Sequence, residues 1–307
     1  MIVISGEYGR LGNRLWTYAN LLAFGAENGI QIRNPRFRSA PFFQGTGPCS
    51  NIAGQSWPAI YWGLCHRLNL RARMFSNVTI PEGRLVNIDE DADFLTLARR
   101  RALVFVDGFF FTAPQSMRRR TDDLRKFFAL KSPLEKARLA LATQARGDSD
   151  VLIGVHIRHG DYRTYCDSVM FYETHQYAKV MHSIAAQFPP GRKVAFLVCS
   201  DERQDPAVFA GLNVTISDNP AVVDMYALAG CNFIVGPSSS FSQWASFYGN
   251  VPLHILNYKA HEMFRDQTPV YEPNIKADFR IFTSDRFGEF GGRPTQMTAI
   301  GHSVLGR

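Results

Sequence analysis

Apolar residues recur along this chain in two alternating rhythms, short β-branched or aliphatic runs and longer stretches with helical spacing. That alternation predicts an α/β fold. Residues 1–5 form an apolar, β-branched run and read as the first strand. After a glycine-rich turn, residues 11–28 read as a helix with Leu15, Ala19, Leu22, Ala23 and Ala26 on one face, and Gly29 supplies its stop. Residues 30–33 read as a second strand. Residues 34–58, rich in Gly, Pro, Ser and Phe, read as irregular. Strands are expected at 84–88 and 103–106, and helices around 114–128 and 133–146.

Gly147-Asp148-Ser149-Asp150 is polar and turn-prone, and the domain boundary is expected there. Beyond it the rhythm is regular. Strands fit 151–157, 194–199, 214–216, 233–235 and 253–256, with helices at 171–187, 222–230 and 241–249. Near-continuous apolar strands of this kind predict a parallel, doubly wound sheet covered on both faces. The expected organisation is an N-terminal domain over 1–148, a C-terminal domain over 149–258, and a Gly-, Pro- and charge-rich tail over 259–307 that packs back on the N-terminal domain.

A length of 307 residues also favours two domains over one. No stretch approaches the ~20 uninterrupted apolar residues of a membrane span. Residues 1–6 carry neither a basic leader nor a signal-peptide core. The five cysteines (Cys49, Cys65, Cys166, Cys199, Cys231) are scattered without CxxC spacing. That argues against zinc or disulfide frameworks and for a reducing cytoplasm, which leaves the sequons at Asn77 and Asn213 without meaning. A formal charge of +7 points to an anionic partner, be it nucleic acid, acidic lipid or a nucleotide diphosphate. The runs Arg99–Arg101 and Arg118–Arg120 read as solvated faces near helix ends.

Three segments carry chemistry. His156-Ile157-Arg158-His159-Gly160-Asp161-Tyr162 follows an apolar strand, and ligands of open α/β sheets bind at such strand ends. Arg158 offers a planar fork for phosphate oxygens, His156 a second donor, and Asp161 a partner that orients the fork. Gly236-Pro237-Ser238-Ser239-Ser240-Phe241-Ser242 lies between a strand and a helix, where amides, hydroxyls and the helix dipole meet in an anion site. Ordinary serine capping explains the same residues and is compatible with that role. Gly6-Glu7-Tyr8-Gly9-Arg10-Leu11-Gly12-Asn13-Arg14 is again strand, glycines, helix, but has neither the Rossmann nor the Walker spacing.

As an ordered set these segments resemble the fucosyltransferase superfamily, and most closely bacterial α-1,2-fucosyltransferases. The matching blocks are Gly9-Arg10-Leu11-Gly12-Asn13-Arg14, His156 through Tyr162, Cys199-Ser200-Asp201, Asp224-Met225-Tyr226 and Ser239-Ser240-Phe241-Ser242-Gln243-Trp244. The resemblance implies a GT-B architecture, two Rossmann-like domains with mainly parallel sheets facing across a cleft. It implies GDP-fucose as donor, with Arg158 and Asn13 catalytic. Arg158 grips the β-phosphate, and Ser239 and Ser240 hold the diphosphate. His156 and Asp224 touch ribose or guanine, and Phe241 packs near the nucleoside. Gly12, Arg14, His159 and Asp161 complete the donor set. Three positions depart from the family pattern: His159 replaces a second arginine, Arg14 a glutamine and Gln243 a tryptophan.

The resemblance further implies a metal-independent reaction that inverts C1, with no cofactor beyond the donor. Asp89-Glu90-Asp91-Ala92-Asp93 contains the Asp-x-Asp spacing of metal-dependent transferases, yet reads more simply as an acidic first helical turn. Glu7 and Asp161 are general-base candidates by position alone. The acceptor is expected to be a glycan or lipid-linked oligosaccharide, reached in the cytoplasm at the inner face of the membrane through peripheral contact. The rival readings are a transferase for another nucleotide sugar, a GDP-binding member without transfer activity, and a basic nucleic-acid-binding protein, which lacks any known binding module.

Overall fold

In a computed structural model that describes residues 1–6, 9–46, 76–79, 86–108, 111–168, 170–256 and 281–282, contacts divide the chain into two units. One is built mainly from Met1–Ser132 and the other from Pro133–Ser284. The Arg84 and Leu85 part of an expected strand, Glu7, Cys49, Cys65 and all of the tail but Ile281 and Phe282 lie outside the described residues.

The first unit is organised by a parallel sheet of β1 (Ile2–Ile4), β2 (Ile32–Arg33), β3 (Ser76–Thr79) and β5 (Val104–Asp107), in the order β2-β1-β5-β3. The expected helix is α1 (Leu11–Asn28), and Gly29 ends it in the left-handed region at φ 66° with its N–H on the Gly25 carbonyl. Its buried face is wider than the apolar pattern indicated. Tyr18, Leu21 and Phe24 are inside, whereas Ala26 is exposed. Residues 34–46 after β2 are irregular apart from a 3-10 turn at Ala40–Phe42. Residues 47–58 of the expected loop lie outside the described residues, and the described part is not a surface loop. Phe37 and Phe43 join Tyr18 and Phe128 in an aromatic cluster, with ring centroids 5.1–6.3 Å apart. The strand β3 was not legible, because Ser76-Asn77-Val78-Thr79 lacks an apolar run. An edge strand needs none.

Strands β4 (Val86–Asn87) and β6 (Phe111–Thr112) form a separate two-stranded pair. The acidic run after β4 serves two helix starts. Asp91 accepts from the Phe94 amide at 2.8 Å and caps α2 (Ala92–Arg100). Asp89 accepts from the Gln115 and Ser116 amides and the Ser116 hydroxyl, which caps α3 (Pro114–Arg119). Carboxylates there satisfy orphan amides and the helix dipole. In the triplet Arg118–Arg120, Arg119 and Arg120 both pair with Glu27 of α1, so much of that positive charge is spent inside the unit. One more short helix, α4 (Thr121–Phe127), follows.

The second unit begins with α5 (Ser132–Arg146), so the break in contacts falls at Ser132 rather than at the polar turn at Gly147. That helix buries Leu141 and Ala145. The sheet contains β7 (Val151–Ile157), β8 (Val194–Ser200), β9 (Val214–Ile216), β10 (Phe233–Pro237), β11 (Leu253–Leu256) and β12 (Ile281–Phe282). Its order is β12-β11-β10-β7-β8-β9, parallel throughout except for β12. Helices α6 (Thr174–Ala185), α7 (Ala221–Leu228) and α8 (Ser240–Gly249) connect the strands. Among the described residues, no helix is long and apolar enough to cross a membrane.

Helix α8 ends against the chain that follows α7. A Cβ on Gly249 would lie 2.0 Å from the Ala229 carbonyl oxygen and 2.7 Å from its carbon. Neither atom belongs to a flexible side chain, so Gly249→Ala must separate the two helices. The substitution is expected to cost about 2 kcal/mol or more, read as a lowered midpoint in chemical denaturation. A midpoint equal to that of the parent would refute this packing.

Candidate functional site

Strand order explains where the second unit can bind. From β7 the chain moves outward to β8 and β9, then returns to place β10 and β11 on the other side of β7. The loops after β7 and β10 therefore leave adjacent parallel strands in opposite directions, and a crevice opens at their carboxyl ends. Arg158 lies in the first loop and Ser238–Ser240 in the second, so the two strongest sequence signals meet.

Three contacts join the loops. The register pairs Val235 with Val155, which sets Gly236 beside His156, and a Cβ on Gly236 would lie 3.0 Å from that of His156. The His156 ring stacks on Phe241 at 4.6 Å with an interplanar angle of 28°. The Tyr162 hydroxyl donates to the Ser238 carbonyl at 2.7 Å. Ser239 is the cap of α8, its hydroxyl accepting from the Phe241 amide at 3.2 Å, and Ser240 is the first residue of that helix. Ser242 donates to carbonyls of its own turn and is fully buried.

Arg158 is held by two carboxylates. Its Nε and Nη2 donate to the two oxygens of Asp161 at 2.9 and 3.0 Å, and Nε lies 3.3 Å from Asp201. The guanidinium sits 5.3 Å from the Tyr162 ring centroid, and only 12% of the side chain is exposed. Among the described residues no hydrogen bond of Arg158 uses Nη1, so one edge of the fork remains for a ligand. Asp201 also accepts from the His159 amide at 2.8 Å. It is the site residue that sequence reasoning gave no role. Its signal was its place just past the apolar strand β8, beside β7.

The histidines stand differently from expectation. His156 is almost fully buried, and among the described residues its Nδ1 has no hydrogen-bond partner. Burial first, and the Arg158 charge second, push its pKa down to about 3, so it is a neutral ring in the floor of the site. His159 was expected among the donor's ligands. Its Nε2 instead lies 3.0 Å from the Tyr172 carbonyl, which requires a proton on Nε2, and its Nδ1 faces Gln204 at 3.4 Å. Both nitrogens are thus engaged within the unit.

Asp224 lies in the first turn of α7, after the carboxyl end of β9. It is 4% exposed and accepts from the Ser217 hydroxyl at 2.5 Å. Burial raises its pKa to about 6, against the Ser217 hydrogen bond and with help from Asp218. Asn13, Gly12 and Arg14 belong to the first unit, at the start of α1. Gly9 has φ +62°, and a Cβ there would fall 2.2 Å from Asn13 Nδ2. Glycine is what lets Asn13 fold back over the loop. Arg14 Nε donates to the Gly9 carbonyl at 3.0 Å.

No protein-family model matches this chain, and no curated protein sequence matches it. Solved structures do. NodZ, an α-1,6-fucosyltransferase soaked with GDP-fucose, superposes with a TM-score of 0.54 at 18% identity over 84% of this chain and 95% of its own. FUT1 of Arabidopsis thaliana, in complex with GDP, gives 0.56 at 12% identity over 92% and 74%. POFUT1, in complex with GDP-fucose, gives 0.52 at 10% identity over 80% and 93%. The chain has the fold of these proteins, a GT-B type with two α/β units built on mainly parallel sheets.

The raised pKa of Asp224 has a sign that can be measured. A folded pKa above the unfolded value means the native state binds the proton more tightly. Its contribution is fully present below about pH 4 and is lost as pH rises through about 6. Asp224→Asn, still able to accept from Ser217, should match the parent near pH 4 and exceed it by roughly 2–3 kcal/mol at pH 8. Unfolding curves at the two pH values check this, and an equal difference at both would contradict it.

Proposed function

We propose that this chain transfers fucose from GDP-fucose to a hydroxyl of a glycan or lipid-linked oligosaccharide, inverting C1 and using no metal ion. The observation that carries this reading is the pairing, at one sheet switch point, of the Arg158 fork with the entrance of α8. The fucosyltransferases that share the fold, and the GDP or GDP-fucose named with them, support it. The ordered motif set supports α-1,2 linkage.

Breaking the bond from fucose C1 to the diphosphate leaves positive charge on the sugar and negative charge on the leaving phosphate. Arg158 Nη1 and the N-terminal end of α8 are fixed sources of positive potential for that charge, and such preorganised groups need no rearrangement as it develops. Asp161 and Asp201 hold the fork in position, which gives Asp161 an orienting role rather than that of a base. In this reading Asp224 accepts from guanine or ribose, and the His156–Phe241 stack is an apolar surface for the nucleoside. Asn13, Gly12 and Arg14 supply the first unit's share. The Asp-x-Asp spacing at Asp89 and Asp91 gives no support to a metal-dependent reaction, because both carboxylates cap helices. The charge of +7 and the free, buried thiols of Cys199 and Cys231 support action in the cytoplasm, at the inner face of the membrane.

Arg158→Ala is expected to lower kcat for transfer by about 10²–10³. Arg158→Lys should recover little, since a point charge does not replace the fork. EDTA should leave the parent's rate unchanged. Turnover with GDP-fucose, GDP-mannose and UDP-galactose across a glycan panel measures all of this. Near-parental turnover of Arg158→Ala, or donor preference for another nucleotide sugar, would sink the reading.

A further inference from the structure

The first unit gathers more positive charge than its donor motif alone supplies. Strands β1, β2 and β5 run parallel, so the loops after β1 and β2 leave the same edge of the sheet. Five arginines stand on that edge: Arg10 and Arg14 at the start of α1, Arg33 at the end of β2, and Arg36 and Arg38 in the next loop. Asp107, the last residue of β5, stands at the same edge.

The edge is also concave. A pocket opens beyond the end of β1, with Ile4, Gly6 and Phe37 as its apolar wall and Arg14, Thr17, Asn34 and Arg36 as its polar lining. Two guanidinium groups, a hydroxyl and an amide thus surround one small space on a rigid strand end. The Gly9 carbonyl fixes Arg14 through Nε, which sets the direction of its fork. Arginine forks pair with phosphate and carboxylate oxygens in bidentate fashion, and an amide and a hydroxyl are what a sugar ring engages.

We infer that this pocket binds an anionic group, phosphate or carboxylate, on the sugar acceptor. The inference rests on the fucosyltransferase reading for the word acceptor, but not for the pocket itself. It assigns Arg36, beside Arg14 of the donor set, to choosing the acceptor and makes the enzyme selective for charged glycans over neutral ones. Charge-assisted contacts of this kind separate a charged from an uncharged sugar by about tenfold or more.

The test uses the whole chain, saturated with GDP so that the diphosphate site is filled, at fixed physiological salt. Titration calorimetry compares N-acetylglucosamine 1-phosphate, galacturonate and neutral N-acetylglucosamine. The sugar phosphate should bind at least tenfold tighter than the neutral sugar, and Arg36→Ala should remove most of that preference. Arg118→Ala, which deletes an exposed charge elsewhere, should keep it. The galacturonate arm decides whether carboxylate is accepted along with phosphate, and tight binding of either anion supports the pocket. Equal affinity for charged and neutral sugars overturns the inference, as does a preference untouched by Arg36→Ala or lost equally in Arg118→Ala. GDP affinity, measured separately, tests the donor reading. If it fails, the same comparison on GDP-free protein still judges the pocket.

Discussion

Arg158 is a charge taken largely out of water, and the second unit is arranged around that fact. An isolated buried guanidinium would cost several kcal/mol, and only well-placed carboxylates with good geometry offset it. Asp161 supplies one from its own loop and Asp201 another from the end of β8. Asp201 then reaches the His159 amide, so the fork, the end of β7 and the end of β8 become one hydrogen-bonded body. Tyr162 lies against the guanidinium and donates to Ser238, which extends that body to β10. These partners come from three strands, and the fork could not be held this way without the parallel pairing of β7 with β8 and β10.

Holding the fork by carboxylates carries an electrostatic penalty for an anion. Two negative groups face one positive one, so Arg158 is not a strong bare charge. Under the proposed function, what a diphosphate meets is directional: among the described residues no hydrogen bond uses Nη1, and α8 has no acidic residue in its first turn. Burial removes a competing charge on the other side, since His156 stays neutral. The arrangement trades long-range attraction for orientation, which is what stabilises charge that appears only during bond cleavage.

Much of this was legible in the residues. The strands of the second unit are near-continuous apolar runs, because a parallel sheet is covered on both faces, and their order along the chain needed only turn signals to separate them. The Arg158 loop and the Ser239 cap were visible as strand-end and helix-start patterns. What failed was tertiary. β3 is polar because it is an edge, and Phe37 and Phe43 sit in a loop whose glycines and prolines concealed its place in the core. His159 looked like a ligand because it follows Arg158 directly. Successive residues leaving a strand point to opposite sides, and its ring enters the interior between Tyr172 and Gln204.

That placement of His159 bears on the departures from the family pattern. The imidazole replaces an arginine and uses both nitrogens to tie the loop after β7 to the segments around Tyr172 and Gln204. Under the proposed function, the donor grip of this unit rests on a single guanidinium. Arg14 belongs to the other unit, where it stands with four more arginines on one sheet edge and lines a pocket with Arg36. His159 thus takes a structural place in the second unit, while Arg14 stands in the first beside Arg36. A sequence comparison would score these as two unrelated substitutions. In the fold, one removes a guanidinium from the loop after β7 and the other adds one at the start of α1.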